Sequence, residues 1–133
     1  MTFMQHLIHV APFWRRTLAR EHNFRKTAYM PAAVCEDGFT VSIQCSRDHY
    51  AELGSLHGEP ITAVDYELGF PSQEDPLIEE YKDWGGNVYA HVPYEVVRAL
   101  VEKHGGVVGL AIYDREMGYT PTTINKLMEE KWD

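Results

Sequence analysis

The sequence predicts an α+β fold: one layered structure in which a sheet of about four strands, mainly antiparallel, carries packed helices and is preceded by an N-terminal helix. Three observations lead there. Residues 39–46 alternate with period two, Phe39, Val41, Ile43 and Cys45 on one side and Thr40, Ser42, Gln44 and Ser46 on the other. Other stretches instead carry apolar residues at three- and four-residue steps, as in Val96, Val97, Leu100 and Val101. Gly- and Pro-containing turns separate the two kinds of segment. The length of 133 residues suits one domain, and 44% hydrophobic with 24% charged residues is enough apolar material for a core without disulfides.

The elements follow in order. Met4, Leu7, Ile8, Ala11, Trp14 and Leu18 predict a first helix, with a kink or a fresh start at Pro12, which cannot donate a helical hydrogen bond. Arg15, Arg16 and Arg20 fall on its outer face. After the turn Glu36-Asp37-Gly38 comes the alternating strand 39–46. A second strand is predicted over 61–68, with Val64, Tyr66 and Leu68 inward and Asp65 and Glu67 outward. Ser72 and Asp75 have the spacing of a helix-capping pair, so a helix with Leu77, Ile78 and Tyr81 inward is expected, ended by Gly85-Gly86. Residues 87–92 read as a third strand with Val88, Ala90 and Val92 on one face. Pro93 opens the next helix, Gly105-Gly106 ends it, and the apolar run 107–113 suits a central strand buried on both faces. Thr120-Pro121 is expected to start a C-terminal helix with Ile124, Leu127 and Met128 on the core.

Cys35 and Cys45 are the only cysteines, too few for a disulfide framework, and Cys45 alternates with core residues as a structural thiol would. No stretch approaches the roughly 20 apolar residues of a membrane span, and a cytoplasmic location without membrane contact is expected. The net charge of −8 is uneven. Residues 1–30 hold five basic groups against Glu21 alone, which leaves −12 on the remainder. The chain therefore divides into a basic helical arm, 1–29, and an acidic α+β domain, 30–133. An acidic body disfavours direct nucleic-acid binding.

Few residues stand in patterns that carry chemistry. His6 and His9 share a helical face, and Cys35, Cys45, His49 and His57 form a second set, but neither has the spacing of a zinc site. No metal and no cofactor is expected. A Cys45–His49 nucleophile and base are opposed by the strand pattern that buries Cys45. Asp65 and Glu67 project from one side of a strand as an acid/base pair would, or as an ordinary solvated pair does. His49 and Tyr50 lie in a loop, where sites concentrate. Glu74, Asp75, Glu79 and Glu80 gather acidic charge in one short stretch.

The runs Met30-Pro31-Ala32-Ala33-Val34-Cys35-Glu36-Asp37-Gly38-Phe39 and Val41-Ser42-Ile43-Gln44-Cys45-Ser46 belong to a wider resemblance. So do Val64-Asp65-Tyr66-Glu67-Leu68-Gly69-Phe70-Pro71-Ser72 and Val92-Pro93-Tyr94-Glu95-Val96-Val97. Together they resemble small, uncharacterised proteins encoded by phages and prophages, over residues 30 to about 106. The resemblance implies an accessory role in a mobile element and carries no catalytic residues across. Residues 1–29 lie outside it.

The resulting expectation is a non-enzymatic protein that acts through a protein partner, such as a basic host nucleoprotein complex of a defence system, in the manner of an anti-CRISPR protein. The binding residues would be Glu74, Asp75, Glu79, Glu80, Asp65, Glu67, His49 and Tyr50. The alternative is a small enzyme or ligand-binding module built on His49, Tyr50, Asp65 and Glu67. Phe13, Trp14 and Leu18 form an apolar surface that packs either on the body or across a homodimer.

Overall fold

The computed structural model describes residues 1–19, 28–46, 49, 51 and 59–129. Helix α1 (Phe3–Leu18) is followed by strands β1 (Ala32–Cys35), β2 (Thr40–Gln44), β3 (Asp65–Gly69) and β4 (Val88–Pro93). Helix α2 (Tyr94–Lys103), strands β5 (Val107–Asp114) and β6 (Gly118–Thr122), and helix α3 (Ile124–Glu129) complete the chain. The strands form one sheet in the order β4-β3-β2-β1-β5-β6, and every neighbouring pair is antiparallel. The fold is α+β as expected, with six strands rather than about four. β1 is four residues, two of them alanine, and β6 contains Gly118 and Pro121, so neither carries the β-branched alternation that marks a strand. Pro121 is tolerated because β6 is an edge, where a missing donor costs no ladder bond.

α1 is capped by Thr2, whose hydroxyl accepts from the Gln5 N–H while the Gln5 side chain accepts from the Thr2 N–H. The helix runs unbroken through Pro12, which lies on its exposed side. The buried stripe is Phe3, His6, Leu7, Val10, Phe13, Trp14 and Thr17, whereas Met4 and Ile8 face solvent. The apolar spacing read from the sequence was therefore rotated relative to the face that packs. Phe3, Leu7, Val10 and Trp14 join the same core cluster as Val41, Ile43, Tyr66, Leu68 and Leu100, so the helical part of residues 1–29 belongs to the body of the domain. Phe13 and Trp14 are buried within the chain and Leu18 packs partly against its core. Indole Nε1 of Trp14 donates to the Cys45 carbonyl at 2.7 Å.

Three further readings are corrected. Residues 72–84 form turns and a 3₁₀ segment, Glu79–Tyr81, not an α-helix. Asp75 turns inward and accepts from the Leu77 N–H at 2.9 Å, which closes a tight turn around Pro76 and seats Ile78 in the core. In β4 the buried pair is Tyr89 and Val92 rather than Val88, Ala90 and Val92. The β3–β4 register slips between Tyr66↔Val92 and Leu68↔Tyr89, and His91 has φ 50°, so a bulge changes the face midway along the strand. β5 is not buried on both sides, since Val108 and Ile112 are exposed. At the end of α2 the sequence signal held: Gly105 takes φ 91°, and a Cβ there would lie 2.9 Å from that of Glu36.

Candidate functional site

The two faces of the sheet differ. Ala33, Val41, Ile43, Leu68 and Leu110 point toward the core beneath α1 and α2. Their strand neighbours Ala32, Ser42, Gly69, Gly109 and Ala111 give the opposite face a floor of small residues. Large aromatic side chains lie on it. Tyr113 and Tyr119 are register partners across β5 and β6 with ring centroids 5.1 Å apart. Phe70 stacks on Tyr113 at 4.4 Å and 15°. The Tyr119 hydroxyl donates to the Phe70 carbonyl at 2.8 Å, and burial pushes its pKa up to about 12. Phe70 has φ 49°, unusual for an aromatic residue, and is held by the Tyr113 stack, the Tyr119 bond and its own N–H to Asn87 at 2.7 Å.

Tyr113 stands between two hollows. One, of about 410 Å³, is lined by Phe70, Asp83, Asn87, Val88, Tyr113 and Arg115. The other, of about 380 Å³, opens where the chain enters β1. Beside the first, the turn Asp83-Trp84-Gly85-Gly86 carries Trp84 with its side chain fully exposed, and its N–H donates to the Asp83 carboxylate at 2.7 Å. A tryptophan beside a Gly-Gly hairpin turn has no element of its own to pack against, a signal that sequence reading passed over. Arg115 makes no ion pair among the described residues.

The acidic candidates are dispersed. Glu74 pairs with Lys82 at 2.9 Å, and Glu79 lies 3.6 Å from the same ammonium. The hydrogen bond from Lys82 holds the Glu74 carboxyl below its ordinary pKa. Glu80 is exposed. Asp75 is not on that surface: it is 3% exposed and bound to His104. Asp65 pairs with His91 at 3.1 Å across the β3–β4 bulge, and Glu67 lies two residues on, where β3 pairs with Gln44. His49 Nδ1 lies 2.6 Å from the Ser46 hydroxyl, with the Tyr29 ring edge-on at 5.5 Å. Tyr50 lies outside the described residues. His49 is thus not brought together with Asp65 and Glu67 by any described contact.

The strongest titratable cluster was not read from the sequence. His104, at the end of α2, lies between Asp37 at 2.6 Å and Asp75 at 2.8 Å, stacked on Phe39 with centroids 4.0 Å apart. Lys103 adds a contact to Asp75 at 3.0 Å. Burial opposes a charge on His104, but hydrogen bonds to both carboxylates outweigh it and raise the imidazole pKa. Both ring nitrogens are occupied, so the cluster fastens the β1–β2 turn, the Asp75 turn and α2 together rather than presenting a free base. His6 is the opposite case. It is fully buried, neither ring nitrogen has a hydrogen-bond partner among the described residues, and burial, with help from His9 and the amino terminus, lowers its pKa to about 4. Cys45 is fully buried beside Val41 and Ile43, and burial pushes its thiol up to about 12. Among the described residues, no group of three His, Cys, Asp or Glu side chains is placed to hold a metal ion, and no helix is long and apolar enough to cross a membrane.

No protein-family model, curated protein or solved structure matches this chain.

Proposed function

We propose that this chain is a non-enzymatic binding protein that docks a basic protein surface, with Trp84 as its anchor and the acidic stretch around Glu74, Glu79 and Glu80 as its electrostatic guide. The observation that carries the reading is the fully exposed Trp84 beside the hollow formed by Phe70, Asn87, Tyr113 and Arg115. Leaving an indole in water is unfavourable for a monomer, and tryptophan is the residue type most enriched in binding hot spots. The charge of −8 favours a basic partner and raises encounter rates with it. The inertness of the other candidates supports the same reading, since His104 is clamped and Cys45 is buried with a raised pKa. A host nucleoprotein complex with basic channels is a partner of this kind, in keeping with an accessory role in a mobile element.

The test is affinity capture with the intact chain, followed by titration of the captured protein against variants. Trp84→Ala should weaken binding by roughly 2 kcal/mol, about thirtyfold, while leaving the melting temperature in place. Glu79→Lys with Glu80→Lys should weaken it further at low salt than at high salt, as screening predicts. Loss of binding in Arg15→Ala with Arg16→Ala, and none in the other variants, would overturn the proposal.

A further inference from the structure

The second hollow, on the other side of Tyr113, has a different chemistry from the Trp84 region. Its volume is about 380 Å³, within the range of small-molecule sites. No described residue of its lining carries a charge. Three aromatic rings, Phe13, Tyr29 and Tyr113, stand around it, over a floor that includes Ala32 and Ala111.

Two polar side chains of its lining, Thr17 and Gln44, are engaged by the protein itself. The Thr17 hydroxyl donates to the Trp14 carbonyl at 2.8 Å and accepts from the Tyr29 N–H at 2.9 Å. Gln44 Nε2 donates to the Met30 carbonyl at 2.7 Å and to Ser42 Oγ at 3.0 Å, and its Oε1 accepts from the Met30 N–H at 2.9 Å. Both amide protons of Gln44 are thereby used. The Ser42 hydroxyl, having accepted from Gln44, keeps its own proton to donate. A charged guest would lose hydration here with no counter-charge among the described lining residues, whereas a flat ring would stack on tyrosine and meet the Ser42 hydroxyl as a donor.

We infer that this cavity binds a small, uncharged aromatic molecule of one or two fused rings. Tyr29 and Tyr113 are its walls, Ala32 and Ala111 its floor, and Ser42 its polar contact. The site shares Tyr113 with the hollow beside Trp84 but uses neither Trp84 nor any residue of the acidic stretch.

The experiment uses the full chain with indole, quinoline and indole-3-acetate as probes, followed by ligand-observed NMR and calorimetry. Indole and quinoline should bind saturably at one site. Indole-3-acetate, the same ring with a carboxylate, should bind at least about tenfold more weakly, because its charge finds no partner among the described lining residues. Ala111→Leu fills the floor and should abolish binding of the neutral rings. Ala32→Leu, on the adjacent strand, is a second filling variant should the first fail to fold. Trp84→Ala should leave ring binding unchanged. The inference is overturned if neither neutral ring binds saturably, if indole-3-acetate binds as tightly as indole, or if a folded filling variant binds as well as the parent chain.

Discussion

The covered and open faces of the sheet are built from the same six strands, yet they solve opposite problems. The covered face buries Val41, Ile43, Tyr66 and Leu68 completely against α1 and α2. It also encloses His6, and at its margin the charged cluster of His104, Asp37 and Asp75. The open face has small side chains where the other has large ones, and it lays Tyr113, Tyr119 and Phe70 across them. Stability therefore resides on the first face, and the binding proposed above falls to the second. A substitution should cost folding energy on the covered side and binding on the open side.

The sharpest break of that comparison is His104→Ala. It strips a buried carboxylate, Asp75, of its principal partner and leaves a void beside Phe39, so chemical denaturation should report a loss of about 4 kcal/mol. A loss below about 1 kcal/mol would show that the cluster is not a fastening point. Leu68→Ala, in the middle of the core, should cost about 3.5 kcal/mol by the same measurement.

The two buried histidines should pull the pH profile in opposite directions. His104 has a raised pKa in the folded chain, so its contribution is complete below pH 6.5 and is lost as pH rises through the raised value. His6 falls from 6.5 to about 4 on folding, so its neutral form is secure above pH 6.5 and stability is lost as pH falls toward 4. That loss is about 3 kcal/mol for the single group. Denaturant midpoints measured from pH 7 to pH 4 should fall for the parent chain and fall much less for His6→Leu, which also removes two unpartnered nitrogens. Identical acid limbs in the two proteins would mean that His6 is solvated during folding equilibrium. The smallest effect belongs to the open face. Tyr119→Phe removes the hydroxyl bond to the Phe70 carbonyl and should cost about 1 kcal/mol while freeing Phe70 from its positive φ. A cost above about 3 kcal/mol would make the open face part of the core.

Much of the covered face was legible because burial leaves a periodic trace. The alternation of Val41, Ile43 and Cys45 and the stripe of Val97, Leu100 and Val101 both survive in the structure, and Gly105 ends α2 as its lack of a side chain suggests. β1 and β6 were not legible, since Ala-rich and Pro-containing strands gain their pairing from neighbours. Nor was the identity of the stripe on α1: Met4 and Ile8 have the same spacing as Phe3 and Leu7, and only the docking angle on the sheet chose between them.

The candidate sites were legible only in part. The acidic stretch stands out as composition, but composition could not tell that Asp75 turns inward to His104 while Glu80 stays in water. Asp37, Asp75 and His104 are too far apart in sequence for any local pattern to join them. The sequence alone determined the α+β class, the apolar faces of β2 and α2, the buried thiol of Cys45 and the overall negative charge, because each follows from local periodicity or from counting. The tertiary structure alone decided which histidine has its pKa raised and which lowered, which aromatic residues lie on the open face and where the hollows beside Tyr113 fall, because each depends on side chains brought together from distant strands and turns.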